Sequence, residues 1–234
     1  MTWMQRNYEI HGNSDTYSYE SQVRNQAYAP WATDAEFREV YRFAHANTLV
    51  EEARCYELWD LLHGLRDIPG AAVEVGVWRG GTGAILARAL MRTKPSERIY
   101  LCDTFSGVVK AGDKDQTYRG GEHANTSMEH VNALLKRLSL TNAVLLKGMF
   151  PEETSFQIPD GPIAFCHIDV DVYQSAKDTV NWVADRLAPG GVLVFDDYGF
   201  PTCVGVTRYV NELKAKSGWL FVYNLNGHAI LIKR

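Results

Sequence analysis

Residues 71–83 read AAVEVGVWRGGTG. The apolar run at 71–77 has the length of a buried strand, and the glycines at 76, 80, 81 and 83 end it in a turn that feeds the helical stretch GAILARALMRT, residues 83–93. Strand, glycine turn and helix in that order form the repeating unit of an open parallel sheet flanked by helices. The same pattern continues outward. RIYLCDT (98–104), NAVLLKG (142–148), IAFCHID (163–169) and GVLVFDD (191–197) read as strands, with SMEHVNALLKRLSL (127–140) and SAKDTVNWVADRLA (175–188) as helices between them. The chain closes with WLFVYNLNGHAILIKR (219–234), two apolar runs around Asn226-Gly227, a dipeptide that marks a hairpin. The expected class is α/β: a seven-stranded, mostly parallel sheet with helices on both faces and a C-terminal antiparallel hairpin.

Upstream, residues 1–46 form a separate zone, with 47–234 as the main domain. The zone starts as an irregular arm rich in Tyr, Asn, Gln and Ser. A helix follows from Asp34 to about Ala46, capped by Thr33 or Asp34, with Phe37, Val40, Tyr41 and Ala44 on one face. This helix reads first as a packing element and second as a lid over a site. Another helix, from about Val50 to Leu65, carries Leu58, Leu61, Leu62 and Leu65 and stops before Ile68-Pro69-Gly70.

Composition narrows the function classes. A chain of 234 residues, 46% hydrophobic, suits one sizeable core. A net charge of −4 and the lack of any Lys/Arg-rich run argue against nucleic acid as a partner. No apolar stretch approaches the roughly 18 residues of a membrane helix, and the polar start MTWMQRNYEIHGNSD does not resemble a signal peptide, so a cytoplasmic protein is expected. Cys55, Cys102, Cys166 and Cys203 lack CxxC spacing and fit buried free thiols rather than a zinc site.

In open sheets, ligands bind beyond the carboxyl ends of the strands. After the first strand the glycine loop allows close backbone approach, and the helix that follows offers free N–H groups to a carboxylate. Asp103 ends the second strand, twenty residues past Gly83, where an acid accepts hydrogen bonds from ribose hydroxyls. Gly76, Gly83 and Asp103 are therefore candidate contacts to a nucleoside cofactor, with Ser127 and Gly148 on its adenine side. A dinucleotide would use the same geometry, and a glycine loop alone is also a packing turn.

The strongest cluster is His167-Ile168-Asp169-Val170-Asp171 with Phe195-Asp196-Asp197-Tyr198. Four carboxylates at one sheet edge repel unless positive charge lies among them. A hard divalent cation such as Mg²⁺ takes oxygen ligands of this kind, and a spare carboxylate then serves as base toward a hydroxyl. The competing reading is that some of these acids only cap a helix or turn. His167 reads as a sheet histidine near the cluster, His123 as solvated or acceptor-facing, and Trp78 and Tyr173 as pocket wall or core.

Taken together, EVGVWRGGTG, DTFSG, NTSMEHVNALLKRLSL, HIDVDVYQSAKDT and LAPGGVLVFDDYG resemble the macrocin O-methyltransferase family, over about Asn47 to Leu213. The resemblance implies a class I, Rossmann-like methyltransferase fold, to which the terminal hairpin also points, and S-adenosylmethionine held by Glu74, Gly76, Trp78, Arg79, Gly83, Asp103, Thr104, Ser127, Gly148 and Asp169. It implies Mg²⁺, or another divalent cation, on Asp169, Asp196 and Asp197. Asp171 is then the base, with Asp169 as the other candidate for that role. The implied acceptor is a hydroxyl of a sugar or glycosylated natural product. Gln174 stands where family members often carry Glu. The rival readings are a catechol-type O-methyltransferase of small phenolics, a non-catalytic methyltransferase-like binding module, and a nicotinamide-dependent oxidoreductase. The arm is a candidate contact for a homo-oligomer.

Overall fold

The computed structural model describes residues 27–234; most of the irregular arm expected at the start of the chain lies outside them. Asp34 caps α1 (Ala35–Ala44) by accepting the N–H groups of Glu36 and Phe37, and the same carboxylate takes the Trp59 indole N–H at 3.2 Å. One side chain thus starts α1 and ties it to α2 (Glu52–Gly64). The stripe Phe37, Val40 and Ala44 is fully buried, as is Leu58 with Leu62 on α2, each large aliphatic contributing about 1.5–3 kcal/mol. Among the described residues, no helix is long and apolar enough to cross a membrane.

The remaining elements alternate as the sequence pattern requires: β1 (Ala71–Val75), α3 (Gly81–Thr93), β2 (Ile99–Asp103), α4 (Met128–Arg137), β3 (Ala143–Lys147), β4 (Ile163–Ile168), α5 (Tyr173–Val183), β5 (Leu187–Phe195), α6 (Val204–Lys214), β6 (Trp219–Asn224) and β7 (His228–Lys233). They build one seven-stranded sheet of order β3-β2-β1-β4-β5-β7-β6. Five strands are parallel, and β7 enters antiparallel to both β5 and β6. Helices α1 to α4 cover the face that carries Ala72, Leu101, Phe165 and Val194. Helices α5 and α6 cover the opposite face, with Val73, Cys102, Cys166, Leu193 and Phe195. All four cysteines are free and buried.

Two features depart from the sequence reading. The helix expected to run to Ala188 ends at Val183, and β5 starts at Leu187 rather than Gly191. Leu187 pairs with Ile163, and a bulge between Ile163 and Phe165 absorbs the Pro189-Gly190-Gly191 step before Val192 pairs with Phe165. Helix α6 had no counterpart in the sequence reading; Val206, Tyr209, Val210 and Leu213 bury its inner face.

The order of the sheet reverses at β1 and β4, so their C-terminal ends open the crevice in which such folds bind ligands. Gly76 lets those ends lie close. It has φ +88°, and a Cβ there would sit 1.7 Å from the Asp169 carbonyl oxygen. Replacing Gly76 with Ala is expected to cost about 2–4 kcal/mol through forced backbone separation and a disfavoured dihedral. Urea denaturation checks this; unchanged stability would mean that the two strand ends separate freely.

Candidate active site at the carboxyl edge of the sheet

The crevice is lined from one side by the glycine loop and the ends of β1 and β2, and from the other by the ends of β4 and β5. Of the residues expected at a site, Gly76, Trp78, Asp103, Thr104, Gly148, Asp169, Asp171, Asp196 and Asp197 lie on this wall. Glu74, Arg79, Gly83 and Ser127 do not. Glu74 points beneath the floor, fully buried, toward the helices. Gly83 is needed for packing, since a Cβ there would meet the Glu74 carboxylate at 2.7 Å and the Leu101 side chain at 3.0 Å. The Ser127 hydroxyl caps α4 by accepting the His130 N–H, and Arg79 donates to the Asn125 carbonyl while lying over the Trp78 ring.

Asp103 works first as a clamp. Its Oδ2 accepts the N–H groups of Val77 and Trp78 at 2.7 and 2.8 Å, and its Oδ1 accepts that of Phe105 at 2.6 Å. A carboxylate has about four acceptor positions, so these three N–H groups leave one of them open. The segment around Asn47 covers the start of α3. A Cβ on Gly81 would meet Ala44 and Asn47 backbone atoms at 2.7 Å, and the Asn47 side chain accepts from His130 Nε2 at 2.7 Å.

The acids converge at the other end. Oxygens of Asp169, Asp196 and Asp197 lie within 4.8 Å of one another, and Asp171, Asp197 and Cys203 form an adjoining group of the same spread. No described residue hydrogen-bonds the Asp169 carboxylate, whereas Asp197 Oδ2 accepts the Asp171 N–H at 3.0 Å. Burial pushes the Asp169, Asp171 and Asp197 carboxyls up, and neighbouring carboxylates push each of them further. Three carboxylates that resist charging together are a donor set that suits a hard divalent cation.

Asp196 behaves in the opposite way. Burial would raise its carboxyl too, but contacts to His167, His228 and Arg54 hold it well below the usual carboxylate range. Arg54 NH1 donates to Asp196 Oδ2 at 2.7 Å and to its carbonyl at 3.0 Å, inside a pair that is about 5% exposed. His228 Nε2 donates to Asp196 Oδ1 at 2.8 Å, and its Nδ1 meets Glu57. His167 Nε2 lies 3.6 Å from the same Oδ1, and its Nδ1 donates to Glu74 at 2.9 Å. His167 is thus the sheet histidine beside the cluster that the sequence suggested, directly abreast of Glu74 in the β1–β4 register. Tyr173 belongs to the core, its N–H on Asp115 and its hydroxyl on Glu212.

Arg54, His228 and Tyr118 were not singled out from sequence. Arg54 had a signal, as a lone charge on the apolar stripe of α2. His228 and Tyr118 had none, since a histidine opening a strand and a tyrosine in a polar loop are common in any role. His123 does face the crevice, edge-on to Trp78 at 6.4 Å between ring centroids.

With this geometry in view, comparisons with known proteins agree. The family model described as Macrocin-O-methyltransferase (TylF) matches residues 8–219. The chain is similar to an 8-demethyl-8-(2,3-dimethoxy-alpha-L-rhamnosyl)-tetracenomycin-C 4'-O-methyltransferase of Streptomyces olivaceus, 33% identical over 147 residues, covering 58% of this chain and 56% of that enzyme. It is also similar to a mycinamicin III 3''-O-methyltransferase of Micromonospora griseorubida, 30% identical over 188 residues, covering 74% of this chain and 72% of that one. The match thus spans little more than half of the first enzyme's length. Among solved structures, the O-methyltransferase NovP aligns with a TM-score of 0.69 at 22% identity over 80% of this chain and 82% of its own. A calicheamicin methyltransferase aligns at 0.67 and 18% identity over 93% and 99%. These likenesses show the class I methyltransferase fold.

The buried histidine gives a pH prediction. Burial alone would lower the His167 imidazole, but the Asp196 and Glu74 carboxylates override it and raise it to about 10 from the usual 6.5. Its stabilising contribution is therefore complete below about pH 6.5 and lost as pH climbs toward 10. Urea denaturation in EDTA should show stability falling across that window, and His167→Gln should flatten the fall. An unaltered slope in the variant would mean that the imidazole is neutral in the folded protein.

Proposed function

From the premise that this chain belongs to the macrocin O-methyltransferase family, we propose that it moves a methyl group from S-adenosylmethionine to a hydroxyl of a sugar or glycosylated natural product. The observation that carries this reading is the meeting, on one crevice, of the Asp103-clamped glycine loop with the carboxylates of Asp169, Asp171 and Asp197. The names of the relatives, which act on rhamnosyl tetracenomycin and on mycinamicin, support the acceptor class.

Each residue has a defined task. Asp103 holds the glycine loop in place and keeps one acceptor position for a ribose hydroxyl of the cofactor. Gly76 and Gly148 let backbone line the crevice without side-chain bulk, and Trp78, Val108 and Phe150 wall it against water. Asp169 and Asp197, with the anchored Asp196, would hold Mg²⁺ or another divalent cation. When bound, such a cation eases proton loss from an acceptor hydroxyl. Asp171 takes that proton. The acceptor oxygen then forms its bond to the methyl carbon as the carbon–sulfur bond breaks, leaving a methyl ether and S-adenosylhomocysteine, with the proton on the Asp171 carboxylate. We place this chemistry in a reducing cytoplasm, which suits the buried free thiols.

Calorimetric titration with S-adenosylhomocysteine, with and without Mg²⁺, should show binding, and methyl transfer across a panel of glycosides, catechols and carboxylates should favour a glycoside and require the cation. Binding with transfer to catechols alone would assign the chain to small phenolics, and no binding would remove the cofactor. Asp171→Asn is expected to lower turnover about 100-fold or more while leaving cofactor affinity near wild type. Asp169→Asn and Asp197→Asn should each shift the Mg²⁺ dependence; unchanged titration curves would remove the cation from these residues.

A further inference from the structure

Beside the acid cluster, three neighbouring strands bring a second group of metal-ligating side chains together. His167 lies on β4, Asp196 directly follows β5 and His228 opens β7. One ligand atom from each lies within 4.8 Å of the other two. The Asp196 N–H donates to the Ile168 carbonyl at 3.1 Å, and all three residues are buried, the two histidines completely. The methyl-transfer scheme gives neither histidine a task.

Both rings present Nε2 to the same oxygen, Asp196 Oδ1, at 3.6 Å from His167 and 2.8 Å from His228. The longer separation is beyond a hydrogen bond, and among the described residues His167 Nε2 has no partner. The far nitrogens also meet carboxylates: His167 Nδ1 lies 2.9 Å from Glu74 Oε1, and His228 Nδ1 contacts Glu57. Each imidazole is therefore placed between two acids. A neutral imidazole has one N–H and one lone pair, so on each ring one nitrogen would face a carboxylate with no proton between them. One arrangement satisfies both rings in neutral form: each Nδ1–H donates to its glutamate, and a divalent cation lies among the two Nε2 lone pairs and Asp196. Arg54 does not fill that place, since its NH1 is on the other Asp196 oxygen at 2.7 Å.

We propose that His167, Asp196 and His228 form a second cation site, of a different kind from the oxygen set of Asp169, Asp196 and Asp197, and that its ion is Zn²⁺. Tetrahedral zinc holds nitrogen and oxygen ligands at about 2.0–2.2 Å, so that neighbouring ligands stand roughly 3.3 Å apart. The separations of 2.8 and 3.6 Å bracket that value. Two imidazole nitrogens favour zinc over magnesium, and a carboxylate behind each ring, here Glu74 and Glu57, is the usual support for a ligating histidine. Asp196 also lines the crevice, where water supplies the remaining position of the ion. The bound ion clips β4, β5 and β7 together and fixes the Asp196 carboxylate. None of this depends on the chain transferring methyl groups.

The test is calorimetric titration of Zn²⁺ into the chelator-stripped chain in excess Mg²⁺, which keeps the oxygen set filled. One Zn²⁺ per chain should bind, with a rise in melting temperature. Co²⁺ in its place should give the visible bands of a tetrahedral site without a sulfur charge-transfer band, which separates these ligands from the buried thiols. Glu57→Gln leaves all three ligands in place and should weaken Zn²⁺ about 10- to 100-fold. His228→Gln should weaken it further, and Asp169→Asn should leave it near wild type. No saturable Zn²⁺ binding above the Mg²⁺ background would overturn the proposal. So would Zn²⁺ affinity that survives both His228→Gln and Glu57→Gln, or that is lost in Asp169→Asn, which would put the ion in the oxygen set.

Discussion

The architecture turns on the cost of burying carboxylates at one edge of a sheet. Asp169, Asp171, Asp196 and Asp197 cannot all be charged in a low-dielectric crevice without nearby positive charge. Arg54 on α2 and His167 on β4 supply it, and His228 of the terminal hairpin adds a hydrogen bond to Asp196. Glu57 on α2 binds Asn224, Asn226 and His228 of the hairpin, so the helix and the hairpin that hold Asp196 are also tied to each other. Buried pairs of this kind add little net stability once desolvation is counted. Their effect is orientation. Asp196 is fixed by two neighbours while Asp169 beside it stays open, so that one acid anchors and the others remain available.

What could be read from sequence follows from which signals are local. Strand ends marked by glycine or aspartate, and helices with an apolar stripe, are visible because the period of side-chain burial is written in consecutive residues. The α5–β5 boundary is not, because Leu187-Ala188 continues an acceptable helical pattern. Only the pairing of Leu187 with Ile163, a contact across the sheet, ends the helix early. Helix α6 carried a readable stripe at Val206, Tyr209, Val210 and Leu213, spaced i, i+3, i+4 and i+7, but the glycine and proline before it draw the eye to a loop.

The site was legible in its acids and less so in its glycine motif. Glu74 sits in the motif that suggests a cofactor contact, yet strand alternation puts it on the same face as Ala72, turned toward helices rather than ligand. Its partner is His167 one strand away. Gly83 likewise owes its identity to that carboxylate behind it. Tyr118 lay beyond sequence reasoning for a different reason: its position depends on backbone hydrogen bonds within an irregular loop, which leave no periodic trace.

The two halves of the crevice are built from different materials, and on the proposed function this bears on how cofactor and acceptor would each be held. The half proposed to take the cofactor is mostly main chain: positive-φ glycines at 76 and 148, and N–H groups gathered on Asp103. Such contacts tolerate wide change elsewhere in the sequence, which fits a shared fold at 18–22% identity. The half proposed to take the acceptor is side chains on connections, namely Tyr118, His123, Phe200 and the exposed Leu49. None of these is a strand residue, so each is replaceable without moving the sheet. The acid cluster lies between the halves, and the proposed transfer requires it to keep its geometry. Arg54 and His228 anchor Asp196 from α2 and the hairpin, and Asp197 holds the Asp171 main chain, so these acids are fixed by groups outside the connection between β2 and α4.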